Sequence, residues 1–295
     1  MSLSPSTLPR SAHLVHVHVP AQRQGRGDGD TRERLIRLAA AHDSDSARAA
    51  VLAFMLNPSS RRERAAWAEA TAGTRDAERC LDDMRALPHA HQLPWFEHFA
   101  RALAHGPVTL RHDVIDAARR VMIADRMVTT MDQLRWVALR HLLAGSAVSP
   151  PAAAATELDT LNDLQAAKAC VFSAFLSQLV PAPELTLDLS GDGSLSQVWY
   201  DTVTAPWSAR PRGAPERQGH DIDASLRALR TLQALPWLLR PVLVRRWFDA
   251  ARSLTDGPAL HPAAADALRL ACVLLDSPVP PELGRQYIEV EAARA

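Results

Sequence analysis

The segment TLRHDVIDAARRVMIADRMVTTMDQLRWVALRHLL, residues 109–143, decides the fold. Leu110, Val114, Ala117 and Val121 recur at spacings of three and four, and Met131, Leu134, Ala138 and Leu142 do so again after a short break. That period marks two helices, each with one apolar stripe that must face something. At the break, Thr129 is placed to cap the second helix. Asp132, three residues on, completes the box and favours the positive helix end. Asp125 follows the first helix, where an Asx-type turn satisfies local backbone donors. The acids therefore read as turn residues. Calcium would require more oxygen ligands, and neither the D-x-[DN]-x-[DN]-G spacing nor a closing glutamate is there.

The arrangement recurs in LTDGPALHPAAADALRLACVLLD, residues 254–276. Asp256 lies in the turn, Gly257 suits a left-handed residue after a helix, and Pro262 suits the first position of the next one. Arg126 stands where the second copy has Gly257, at a cost of about 1 kcal/mol if its φ is positive.

Composition agrees with an all-α fold. Aromatics are only 5% of the chain and Lys168 is its single lysine, so strand formers are scarce while Ala and Arg, both good helix formers, abound. Basic and acidic residues balance at 33 each, which gives no whole-chain field for nucleic acid or an anionic membrane. Cys80, Cys170 and Cys272 are too scattered for a disulfide framework and read as core residues of a cytoplasmic protein. The longest apolar stretch, ALPWLLRPVLVRRWF, is cut by Arg240, Arg245 and Arg246, so no spanning helix and no direct membrane insertion are expected. HLVHVHVP near the start is too short and too histidine-rich for a signal-peptide core.

Read along its length, the chain divides into a mobile arm over 1–30, a helical subdomain over 31–145, a Pro-rich linker over 146–156 and a second subdomain over 157–295. The subdomains read as two related sets of antiparallel helical hairpins. Asp30 and Glu33 have the spacing of a capping box opening a helix from Thr31 to about His42. Further helices are expected near 44–56, 60–71, 75–86, 92–104, 108–123, 130–143, 157–180, 222–235, 237–254, 262–276 and 281–292. Residues 181–220 read as a long irregular loop holding one short helix near 195–204.

Three stretches carry a resemblance: LAAAHDSDSARAAVLAFMLNPSSRRERAAW (38–67), ARRVMIADRMVTTMDQLRWVALRHLL (118–143) and LTDGPALHPAAADALRLACVLLDSPVPPEL (254–283). In this order they resemble the C-terminal helical region of HtpX-like bacterial membrane zinc metallopeptidases, and the turns look like those of TerB-like helical modules. The family's His-Glu-x-x-His motif and its membrane helices are absent, and Arg126 and Ala264 replace typical family residues. The resemblance thus implies a non-catalytic protein-interaction or regulatory module. It requires no cofactor, and its protein partner would be a membrane protease or an envelope-stress component.

His13, His16 and His18 could offer imidazoles to a metal, but no Cys or acid accompanies them. His98, His105 and His112 are seven apart with Pro107 interrupting. Trp95, Phe96 and Phe99 read as core. RRER (61–64) and RPVLVRRWF (240–248) read as solvated arginine faces, with no nucleic-acid partner expected. No nucleophile motif or phosphate loop is present. The partner surface is expected on 199–220, where Trp199, Tyr200 and Trp207 accompany Arg210, Arg212 and Arg217, residue types that dominate binding hot spots; the alternative is that Trp199 and Trp207 pin the segment to the core, where large aromatics are usually buried. The alternative from another class is a metal-dependent hydrolase with an unorthodox site built from the two turns or the N-terminal histidines.

Overall fold

The structure is a computed structural model, and it describes residues 26–41, 43–144, 157–181, 194–208 and 222–290. Among the described residues every regular element is helical, and the protein is all-α. In the first half lie α1 (Arg26–Ala39), α2 (Ser44–Met55), α3 (Arg61–Ala70), α4 (Ala77–Ala86), α5 (His89–Ala104), α6 (Val108–Ile123) and α7 (Thr130–Ala144). A 3-10 turn at Leu158–Thr160 introduces the second half. There follow α8 (Asp163–Leu176), α9 (Leu195–Ser208), α10 (Ile222–Gln233), α11 (Leu239–Ser253), α12 (Pro262–Leu274) and the single turn α13 (Pro281–Gly284).

Several boundaries differ from those read off the sequence. Helix α1 begins at Arg26, so RGDGD is helical and not part of an arm. Asp30 then sits inside the helix and pairs with Arg34 one turn on, at 2.5 Å, instead of capping. The expected helix over 157–180 is shorter, because Asn162 and Gln165 exchange side-chain bonds at its start and open α8 at Asp163. Helix α9 extends to Ser208, through Pro206, in what was expected to be mostly loop. Helix α13 ends at Gly284, and beyond it the Ile288 N–H donates to the Ala90 carbonyl at 2.9 Å. The histidines of the N-terminal arm and the 146–156 linker lie outside the described residues.

Helix α2 is the hub of the first half. Ala47, Ala49, Ala50, Val51, Leu52, Ala53 and Met55 are all buried, so nearly its whole circumference meets protein. Its alanines let α4, α5 and α6 approach closely, and dense packing of this kind leaves no room for larger side chains. The Trp67 indole N–H donates to the Ala49 carbonyl at 3.3 Å and fixes α3 on the same helix. In the second half α8 plays the same part, buried along Ala166, Ala169, Cys170 and Phe172 and covered by α9 and α10.

The halves meet where α7 packs on α12. Each of these helices follows its own partner across a turn, α6 before α7 and α11 before α12, and one cluster of buried apolar side chains runs through both halves. No helix among the described residues is long and apolar enough to cross a membrane.

Candidate functional site

At the α6–α7 turn, Asp125 Oδ1 accepts from the Met127 N–H at 2.9 Å. That bond holds the Asp125 carboxyl below its usual range. Asp132 Oδ2 accepts from the Thr129 backbone at 3.0 Å and from its hydroxyl at 2.6 Å, while Thr129 Oγ1 accepts from the Asp132 N–H at 3.1 Å. This reciprocal set satisfies donors that the first turn of α7 would otherwise leave open. Arg126 has φ 66°, the left-handed region.

The second turn is built differently. Gly257 does not have a positive φ, so the expectation of a left-handed glycine there is corrected. Its carbonyl instead accepts from Arg252 Nη1 at 2.5 Å, which ties the turn to α11 and removes the need for a left-handed residue. Pro262 opens α12 after His261, whose Nδ1 accepts from the Ala263 N–H at 3.3 Å. Asp256 is exposed.

The first turn contains a third acid that spacing could not reveal. Glu63, in the opening turn of α3, is buried and faces Asp125 and Asp132. Burial, followed by the neighbouring carboxylates, pushes its carboxyl up to about 7, although the Asn57 N–H donates to it at 2.6 Å. A shared hydrogen bond with Asp125 adds to the preference of Glu63 for its protonated form. No three His, Cys, Asp or Glu side chains among the described residues are grouped to hold a metal ion.

The aromatic residues expected on a partner surface are interior. Trp199, Tyr200 and Trp207 lie on α9 and are buried. The Trp199 indole donates to the Trp247 carbonyl at 3.1 Å, and the Trp207 indole donates to the Leu158 carbonyl at 3.0 Å. Positions 199, 203 and 207 fall on one helical face, and that periodicity was the available signal for a core role. These three side chains do not form a partner surface; Arg210, Arg212 and Arg217 lie outside the described residues. Among the described residues the exposed large aromatic is Trp237, 74% accessible, between α10 and α11. Leu238 and Val242 beside it are 60% and 50% accessible.

A charged cluster buried between α5 and α12 also went unread. Arg269 on α12 donates through Nε to Glu97 on α5 at 2.7 Å and through both Nη atoms to Glu289 at 2.6 and 2.9 Å. Its guanidinium carbon lies 4.6 Å from the Tyr287 ring centroid. Burial opposes the charge on Arg269, but the bonds from Glu289 and Glu97 outweigh it and raise its pKa. Tyr287 donates to Asp266 at 2.8 Å, and burial together with that carboxylate pushes the phenol well above its usual range. His89 Nε2 lies 3.0 Å from Asp266 but off the line of a good hydrogen bond, so the contact is a close charge approach. Its pKa is raised by Asp266.

The thiols are poor nucleophiles. Burial pushes Cys80 and Cys272 each up to about 12, and Cys170 is sealed in α8. Comparison with protein-family models, with curated proteins and with solved structures gave no match.

Proposed function

We propose that this chain is a non-catalytic protein-interaction module, of the accessory kind that the resemblance to HtpX-like peptidases implies. The observation that carries the reading is the corner between α10 and α11, where Trp237, Leu238 and Val242 stand in solvent. Leu238 and Val242 are one helical turn apart, and Trp237 adjoins them. A tryptophan in an apolar patch is the residue type most concentrated in binding hot spots, whereas isolated exposed apolar residues are ordinary. The partner this patch fits is a protein presenting an apolar groove or helix face. The inert thiols and the use of Asp125 and Asp132 as local backbone acceptors favour this reading over a hydrolase.

The test places a photo-reactive amino acid at Trp237 in the full chain in its native host, with Arg119 on the exposed side of α6 as control. A discrete cross-linked species from position 237, absent from position 119, and lost on adding Val242→Ser at unchanged melting temperature, is the expected result. Equal cross-linking from both positions, or none from 237, overturns the reading.

A further inference from the structure

A groove of about 560 Å³ borders the Glu97 side of α5, but its Glu97 and Asp276 are already engaged, by Arg101 with Arg269 and by His141. A larger one, about 640 Å³, lies between α6, α7 and α10 and has a different character. Its floor is apolar: Ile115 and Val137 come from α6 and α7, Leu226 and Leu229 from α10. Arg111, His112, Arg140 and Arg230 stand along its walls, and among the described residues no Asp or Glu lines it.

The groove is closed at one end by the last turn of α10. Gln233, at its C-terminus, donates to the Leu274 carbonyl at 2.7 Å and lies 3.2 Å from His141 Nδ1. Earlier turns of α10 pack on α8, which leaves their other side open toward α6 and α7. Asp276, the acid nearest His141, is engaged by His141 at 2.9 Å and by Arg240 at 3.6 Å, so it does not neutralise the walls.

The three arginines have no carboxylate within 4.0 Å among the described residues, whereas Arg37, Arg64, Arg245 and Arg269 all do. Arg111 donates through Nη1 to the Leu143 carbonyl at 3.0 Å, but its Nε is buried without a partner. A buried donor left open costs free energy that an incoming acceptor recovers. Arg140 lies with its guanidinium carbon 4.7 Å from the Trp136 ring centroid, which holds it extended beside the groove. The size is that of an ordinary small-ligand cleft.

We propose that this groove binds a small amphiphilic anion, with an alkyl chain against Ile115, Leu226 and Leu229 and a carboxylate or phosphate head on Arg111, Arg140 and Arg230. Guanidinium groups suit both heads, since their paired N–H donors match two oxygens of either. The inference does not rest on the Trp237 patch, none of whose residues lines the groove.

Calorimetric titration of the full chain with decanoate, decyl phosphate, decanol and inorganic phosphate tests it, each amphiphile kept below its micelle concentration. Decanoate or decyl phosphate should saturate one site per chain, and which of the two binds more tightly identifies the head. Decanol and inorganic phosphate should each bind about tenfold or more weakly, because each lacks one half of the recognised chemistry. Arg140→Glu with Arg230→Glu should weaken the amphiphile by a further factor of about ten at unchanged melting temperature. Should that pair fail to fold, Arg140→Gln alone replaces it, with Trp136 emission as a second readout. Absence of saturable binding by both amphiphiles, equal binding of decanol, or indifference to the arginine substitutions overturns the proposal.

Discussion

Arg269 Nε and Glu97 Oε1 meet at 2.7 Å, from residues 2% and 3% accessible on helices that belong to opposite halves of the chain. A pair so placed is held less by its own attraction than by the cost of separating it. Removing Arg269 leaves the buried Glu97 with only Arg101 beside it, a loss of up to about 3–5 kcal/mol, while replacing both with apolar groups is far milder. Arg269→Met should therefore lower the urea midpoint sharply, and Glu97→Leu added to it should restore most of the loss. Additive losses in the double variant would show that packing, not charge, is what the pair supplies.

Glu63 makes stability depend on pH in an uncommon direction. Its folded pKa of about 7 lies above the ordinary 4.5 of a free glutamate, so between those values the folded chain keeps a proton that the unfolded chain releases. The contribution is fully present below about pH 4.5 and is lost as pH rises through about 7. Asp125, whose pKa is lowered, acts oppositely and only in more acidic solution. Glu63→Gln keeps an acceptor for the Asn57 N–H and should flatten the urea midpoint between pH 5 and 7.5. A midpoint that falls equally in both proteins would locate the titration elsewhere.

Thr129→Ala removes both the hydroxyl that receives the Asp132 N–H and a donor to the Asp132 carboxylate. Stability should drop by about 1 kcal/mol, the ordinary loss for an N-cap side chain. Thr129→Ser should recover nearly all of it, which a thermal melt can resolve.

Trp207→Ala empties a sealed site and strands the Leu158 carbonyl, so a loss of about 3–5 kcal/mol is expected. Trp237→Ala should leave the melting temperature within a degree or two, since surface substitutions usually stay within about 0.5 kcal/mol. Reversed outcomes would exchange the roles of these two tryptophans.

What could be read from the sequence was what the chain decides locally. Thr129 and Asp132 are three residues apart, and the stripe from Val114 to Val121 lies within one helix, so both leave a periodic trace. Boundaries went astray where composition misled. Two glycines made 26–30 look like an arm, yet the Asp30–Arg34 pair lies within the helix there. At Trp207 residue type suggests a binding loop, whereas the four-residue spacing of Trp199, Val203 and Trp207 marks a buried helical face. Glu63 beside Asp125, or Arg269 on Glu97, leaves no such trace, because partners 62 and 172 positions away meet only after packing is complete. The basic groove belongs to the same class, as its walls come from helices in both halves.

The separation of Glu97 from Arg269 also sets a clock for synthesis. The arginine follows the glutamate by 172 residues, which at ordinary ribosomal rates is about 10–30 s. For that interval α5 has a carboxylate on the face that α12 will later cover, and the helices of the first half wait with that face open to water. Whatever shields nascent chains in the cell has most to do in this window, and slower decoding between α5 and α12 would lengthen the exposure without altering a single residue.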